Sequence, residues 1–162
     1  MKTQFRLAVG LLLILIFVAV GTYMRLWDLH FSIGLFFLHH WLSIIGGTCL
    51  LIFIVVYAYM KRYTAVNRGT ILKVHVFGNL LAVIVISVHF AQQMGRPAEF
   101  APDLGTGLAT YLLLVVILVT GFMMRFGLLT QKRESWRLFH VGLSLSLFIV
   151  LVIHALKNFG IF

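Results

Sequence analysis

Seven histidines are spread along this chain of 162 residues, and four of them keep a regular pattern. His75 and His89 lie fourteen residues apart, and so do His140 and His154. Fourteen helical steps of about 100° return to within about 40° of the starting direction, over a rise of about 21 Å. Each pair therefore sets two imidazoles on one helix face at two separate levels. A neutral imidazole offers a nitrogen lone pair to a metal, and a haem iron takes such nitrogens as axial ligands.

The elements that must carry these side chains are set by composition. Hydrophobic residues make up 62% of the chain and charged residues 10%, with a mean hydropathy of +1.07. Soluble domains hold about 45–50% apolar and about 25% charged residues, so the sequence reads as an all-α integral membrane protein. Five apolar runs, roughly 7–26, 35–60, 70–93, 106–127 and 136–159, each reach the length that a bilayer core requires. One transmembrane domain over 1–162 is expected, a five-helix bundle with two haems between helices three and five. Lys2 and Arg6 before an apolar run, then Ala19-Val20-Gly21, have the outline of a signal peptide; we read the segment as the first helix. A single cysteine, Cys49, allows no internal disulfide, and C-x-x-C-H, the covalent haem motif, is absent.

The net charge of +9 is not spread evenly. Lys2 and Arg6 precede the first helix, Lys61, Arg62, Arg68 and Lys73 lie between the second and third, and Arg125, Lys132, Arg133 and Arg137 lie between the fourth and fifth. This is the positive-inside pattern and not a nucleic-acid surface. It predicts a multi-pass protein of the cell membrane, with its N-terminus cytoplasmic and its C-terminus outside. Trp27, Trp41 and Trp136 fall near predicted helix ends, where indole favours the interface.

Helices three and five then run in the same direction. His75 is expected to meet His140 on the cytoplasmic side and His89 to meet His154 on the outer side, giving two bis-imidazole sites stacked along the membrane normal. A lone intramembrane histidine reads equally well as a hydrogen-bond partner between helices. Two pairs with one spacing point to ligation, because ionisable groups inside a membrane are costly and usually functional. Gly78, Gly142, Ser144 and Ala82 are small residues beside or between these ligands. They read either as room for a flat macrocycle or as helix-packing residues. Lys73 and Arg137, near His75 and His140, read as partners for haem propionates or as positive-inside charges.

H-x13-H on each of two membrane helices resembles the ligand pattern of cytochrome b in quinol–cytochrome c reductases. It also resembles the ferric reductase and NADPH oxidase type membrane domain, closer in the stretch Trp136-Arg137-Leu138-Phe139-His140 after a basic loop. The resemblance spans about the last ninety residues and implies two non-covalent haem b groups, at His75/His140 and His89/His154. No G-x-G-x-x-G fingerprint occurs, so this chain is not expected to oxidise a nicotinamide itself.

His39 and His40 open helix two, and His30 precedes it. Adjacent helical residues point about 100° apart, so only one of His39 and His40 is expected to face inward well. They read as interfacial side chains, with a quinone or proton site or an extra metal ligand as the other possibility. The functional expectation is a dihaem b-type electron-transfer subunit, non-catalytic or quinone-reactive, in a multi-subunit membrane complex with redox partner subunits and a quinone. The alternative is a proton or metal-ion transporter that uses intramembrane histidines. Against it, Asp28, Glu99, Asp103 and Glu134 all fall in predicted connections.

Overall fold

The computed structural model describes residues 2–27, 29, 31–96, 105–158 and 160. It is all-α apart from a two-residue ribbon, and five long helices are apolar enough to cross a membrane: α1 (Lys2–Tyr23), α2 (Leu38–Tyr63), α3 (Arg68–Met94), α4 (Gly105–Arg125) and α5 (Arg133–Asn158). His30, Asp28, Glu99 and Asp103 lie outside the described residues. The chain divides into two compact units, 1–102 and 103–162, each described by itself.

Many large apolar side chains face outward, although Leu50, Ile71, Leu80 and Val83 are buried. Leu13, Phe17, Val55 and Leu145 stand exposed, each above 60% of its accessible surface, while the buried set includes Ala8, Ala82, Ala91, Ser87 and Thr22. Lipid is as apolar as leucine, so helices gain from close packing between small residues and not from hiding large ones.

In the first unit α3 packs against both α1 and α2. Gly46 of α2 closely approaches α3. A Cβ there would stand 2.8 Å from Ile86 Cγ1 and 3.1 Å from the Ala82 carbonyl oxygen. The end of α1 is tied to the end of α3. Arg25, at φ 57°, turns the chain, and its guanidinium donates to the Gly95 carbonyl at 2.6 Å, placing positive charge where the last carbonyls of α3 lack partners. The Trp27 ring lies on Gly21, where no Cβ fits, and its Nε1 donates to Thr22 Oγ1 at 3.0 Å.

Helix α2 begins three residues later than its apolar run predicts. Gly34, at φ 62°, turns the chain between β1 (Ser32–Ile33) and β2 (Phe36–Phe37), which pair antiparallel and draw Phe36 and Phe37 out of the helix. Trp41 Nε1 donates to the Ile33 carbonyl at 2.8 Å and fastens this ribbon to the first turn of α2. At the other end, Asn67 caps α3 by accepting from Gly69 N–H at 2.7 Å.

The second unit is an antiparallel hairpin. Gly127 takes φ 75°, Leu128 N–H bonds the Met123 carbonyl at 2.9 Å, and Phe126 N–H bonds that of Phe122 at 3.1 Å, so α4 ends in a Schellman-type turn that only glycine makes without strain. Lys132, also at positive φ, redirects the chain into α5. Glu134 belongs to the first turn of α5 and not to the connection predicted for it; an acid there suits the helix dipole. Leu114 and Leu147 are buried midway along the two helices.

Candidate functional site

The two α5 histidines are held in the same way. Thr120 Oγ1 lies 3.0 Å from His140 Nδ1, and Thr106 Oγ1 lies 3.1 Å from His154 Nδ1. Each threonine is followed by a glycine that lets the ring approach. A Cβ on Gly121 would stand 3.0 Å from His140 Cε1, and one on Gly107 would stand 3.1 Å from His154 Cε1. Thr106 and Thr120 are fourteen residues apart, as are His140 and His154. Two antiparallel helices with equal spacing thus meet twice in one register.

The hydrogen bonds around Thr120 assign the proton on His140. Thr120 Oγ1 lies 2.9 Å from the Val116 carbonyl and 3.1 Å from that of Ile117. A carbonyl only accepts, so the hydroxyl proton goes there, and Oγ1 accepts from His140 Nδ1–H. Nε2 then carries the lone pair. At His154, Asn158 Nδ2 is also near, at 3.2 Å from Nδ1 and 3.3 Å from Nε2. A donor that close to equidistant from both nitrogens is aligned with neither in-plane lone pair. The same amide donates to the His154 carbonyl at 2.7 Å, which leaves Thr106 as the directed partner of Nδ1.

The α3 histidines lie along the seam with α2. His75 stacks on Tyr57, with ring centroids 4.4 Å apart and planes at 30°, and its Nδ1 is 3.2 Å from Asn79 Nδ2 one turn on. Beside it lies an apolar cavity of about 50 Å³, walled by Phe53, Tyr57, Val66 and Ile71. Gly78, read in sequence as space beside a ligand, faces the Phe53 ring, which a Cβ there would meet at 2.8 Å, and Ala82 lies under Gly46. Both positions therefore serve the contact between α2 and α3. Gly142 meets nothing within 4 Å of an added Cβ, so that side of α5 is open. Lys73 and Arg137 are exposed.

His89 stands in a cluster that sequence reading did not assemble. Its ring centroid is 5.6 Å from that of His39 and 5.3 Å from that of His40, and the rings of His39 and His40 are 4.2 Å apart. One ligand atom from each of the three lies within 4.8 Å of the others. His39 is fully buried, stacked on Phe37 with planes 8° apart, and Gln93 Nε2 reaches its Nε2 at 3.5 Å. The expectation that only one of the adjacent pair would face inward is overturned. The ribbon that precedes α2 backs both rings: Phe37 lies 5.7 Å from His39 and 6.1 Å from His40, and Phe36 lies 6.2 Å from His40, between ring centroids. The signal was in the numbering: α2 and α3 are antiparallel about residues 64–67, so positions 39–40 and 89 come level.

Compared with known protein families, curated proteins and solved structures, the chain matches none.

Proposed function

We propose that this protein is a membrane-embedded dihaem b-type cytochrome subunit that carries electrons across the bilayer. His75 and His140 are the axial ligands of one haem, and His89 and His154 those of the other. The observation that carries the reading is the matched fourteen-residue spacing of both histidine pairs, together with the threonine that takes each α5 imidazole by Nδ1. An imidazole engaged at Nδ1 keeps Nε2 for a metal, and ligating histidines characteristically make that second hydrogen bond. The two α5 imidazoles therefore suit haem iron, and His75 and His89 support the reading by their spacing.

Bound haem supplies one-electron redox chemistry. The chain's own residues set where the electron resides. Two imidazole levels about 21 Å apart along a helix divide the membrane into shorter steps. The apolar side chains around them keep water away and make ligation and hydrogen bonding the terms that tune potential. Arg137 and Lys73, exposed near His140 and His75, are the cations that would meet propionates at that level. The basic connections favour a cytoplasmic N-terminus and an outer C-terminus. Donor and acceptor are partner subunits of a membrane oxidoreductase or a quinone. The test is a reduced-minus-oxidised absorption spectrum of the purified protein, with pyridine extraction to count haem b. Two non-covalent haems per chain are expected, and none from a folded sample overturns the reading.

A second reading is favoured by the cluster of His39, His40 and His89: a transition-metal ion site serving metal transport. Three neutral imidazoles suit zinc or copper and leave a fourth position open for an exchanging ligand. Because His89 takes part in both readings, elemental analysis beside the haem count separates them. Two haems with two irons and no zinc or copper support the first, and no haem with one bound zinc or copper per chain supports the second.

A further inference from the structure

We infer that α4 is a positioning helix: Thr120 and Thr106 hold the imidazoles of His140 and His154 at Nδ1, and at His140 this contact assigns Nε2 as the metal-binding nitrogen. The inference deepens the haem reading and rests on it for the identity of the metal group, but not for the hydrogen bonds themselves.

The sequence of α4 carries Thr-Gly at 106–107 and again at 120–121, and α5 answers with a histidine at each level. The four distances that define the contact agree between the two levels to 0.1 Å: 3.0 and 3.1 Å for threonine Oγ1 to Nδ1, and 3.0 and 3.1 Å for a glycine Cβ to Cε1. Threonines in membrane helices commonly bond back to their own helix. Thr120 does so through Val116 and, with its remaining lone pairs, accepts from His140. The glycines act differently: at contacts this short, a methyl would push the imidazole edge away by a few tenths of an ångström. At the His140 level threonine sets which nitrogen bears the proton, and at both levels glycine sets how close the ring stands. Packing alone requires neither the hydroxyl nor its repetition at the second histidine.

A hydrogen bond from Nδ1–H makes the imidazole a stronger donor to a metal, and loss of such a partner typically weakens binding by about 10–100-fold. The experiment compares wild type, Thr120→Val and Thr120→Ser in dithionite-reduced, ¹⁵N-histidine-labelled protein. It reads the His140 Nδ1–H resonance, the rate of haem loss to an apo-globin acceptor and the midpoint potentials. Valine keeps the shape of threonine but not its oxygen. It should move the Nδ1–H resonance upfield, speed loss of one haem by about 10–100-fold and raise that haem's potential, while serine restores all three. Gly121→Ala, with the hydroxyl intact, should loosen the same haem and leave the other unchanged. The inference is overturned if Thr120→Val matches wild type in both resonance and haem release. If the protein holds no haem yet the resonance still responds to valine and recovers with serine, the positioning role stands and the haem reading fails.

Discussion

Two neighbouring glycines in α2 offer a sharp test of how the first unit is held together. Gly46 and Gly47 have the same chemistry and the same helix, yet a Cβ on Gly46 meets Ile86 Cγ1 at 2.8 Å, the Ala82 carbonyl at 3.1 Å and Ile86 N at 3.3 Å, whereas a Cβ on Gly47 meets nothing within 4 Å. Either substitution by alanine gains the same helix propensity, about 0.5–1 kcal/mol, so that contribution cancels when the two variants are compared. What remains at position 46 is steric. The Ile86 side chain can rotate, but the Ala82 and Ile86 backbone atoms belong to α3 and move only with the helix. Overpacking of this kind costs about 1–3 kcal/mol. Gly46→Ala should therefore be less stable than Gly47→Ala by about 1–3 kcal/mol, or about 5- to 150-fold in the unfolding equilibrium constant. Steric-trap unfolding in bicelles, with biotin tags on the ends of α2 and α3, measures the difference directly. Equal stability of the two variants, or the larger loss at Gly47, would refute the packing described for this seam.

His154→Ala is expected to remove one haem and leave the other, seen as half the pyridine haemochrome yield per chain; two retained haems would end the proposed pairing. Arg25→Ala should leave global stability near wild type, because the side chain is exposed, while amide exchange at 91–95 quickens as the Gly95 carbonyl loses its charged partner. Cysteines introduced singly at Ala65, Leu129 and Leu35 of a Cys49→Ala protein test orientation: Ala65 and Leu129 should label only from the cytoplasmic side and Leu35 only from the opposite one. Labelling of Ala65 and Leu35 from the same side would contradict the proposed topology.

The five spans were legible in the sequence because hydropathy over about twenty residues is a sum, and sums survive local exceptions. Their ends were not, since ends depend on single residues. Gly34 starts a turn inside an apolar stretch, so Phe36 and Phe37 look helical by hydropathy yet pair as a ribbon. The spacing of His75, His89, His140 and His154 could be counted, but what surrounds them could not. Gly78 looks like space beside a ligand until Phe53 of α2 is seen to fill it. Thr106-Gly107 and Thr120-Gly121 stand openly in the chain, but threonine and glycine are common in membrane helices. Their repeat gains meaning only when an antiparallel partner of equal spacing is laid against it. His39 and His40 show the converse. Rotation about an ideal helix separates them, yet at the helix start, backed by Phe36 and Phe37, both reach His89.

The equal spacing in α4 and α5 gangs two distant points together. A slide of α4 along its axis by one turn, about 5.4 Å, cannot release His140 from Thr120 while sparing His154 from Thr106. Both contacts hang on one translational coordinate, like two teeth on a single rack. Motion along the hairpin's length therefore acts on both contacts equally, whereas splaying about its closed end acts on them unequally. Splaying, unlike sliding, parts the histidine farther from Gly127 first, so under strain the two imidazoles should loosen in a fixed order, His154 before His140.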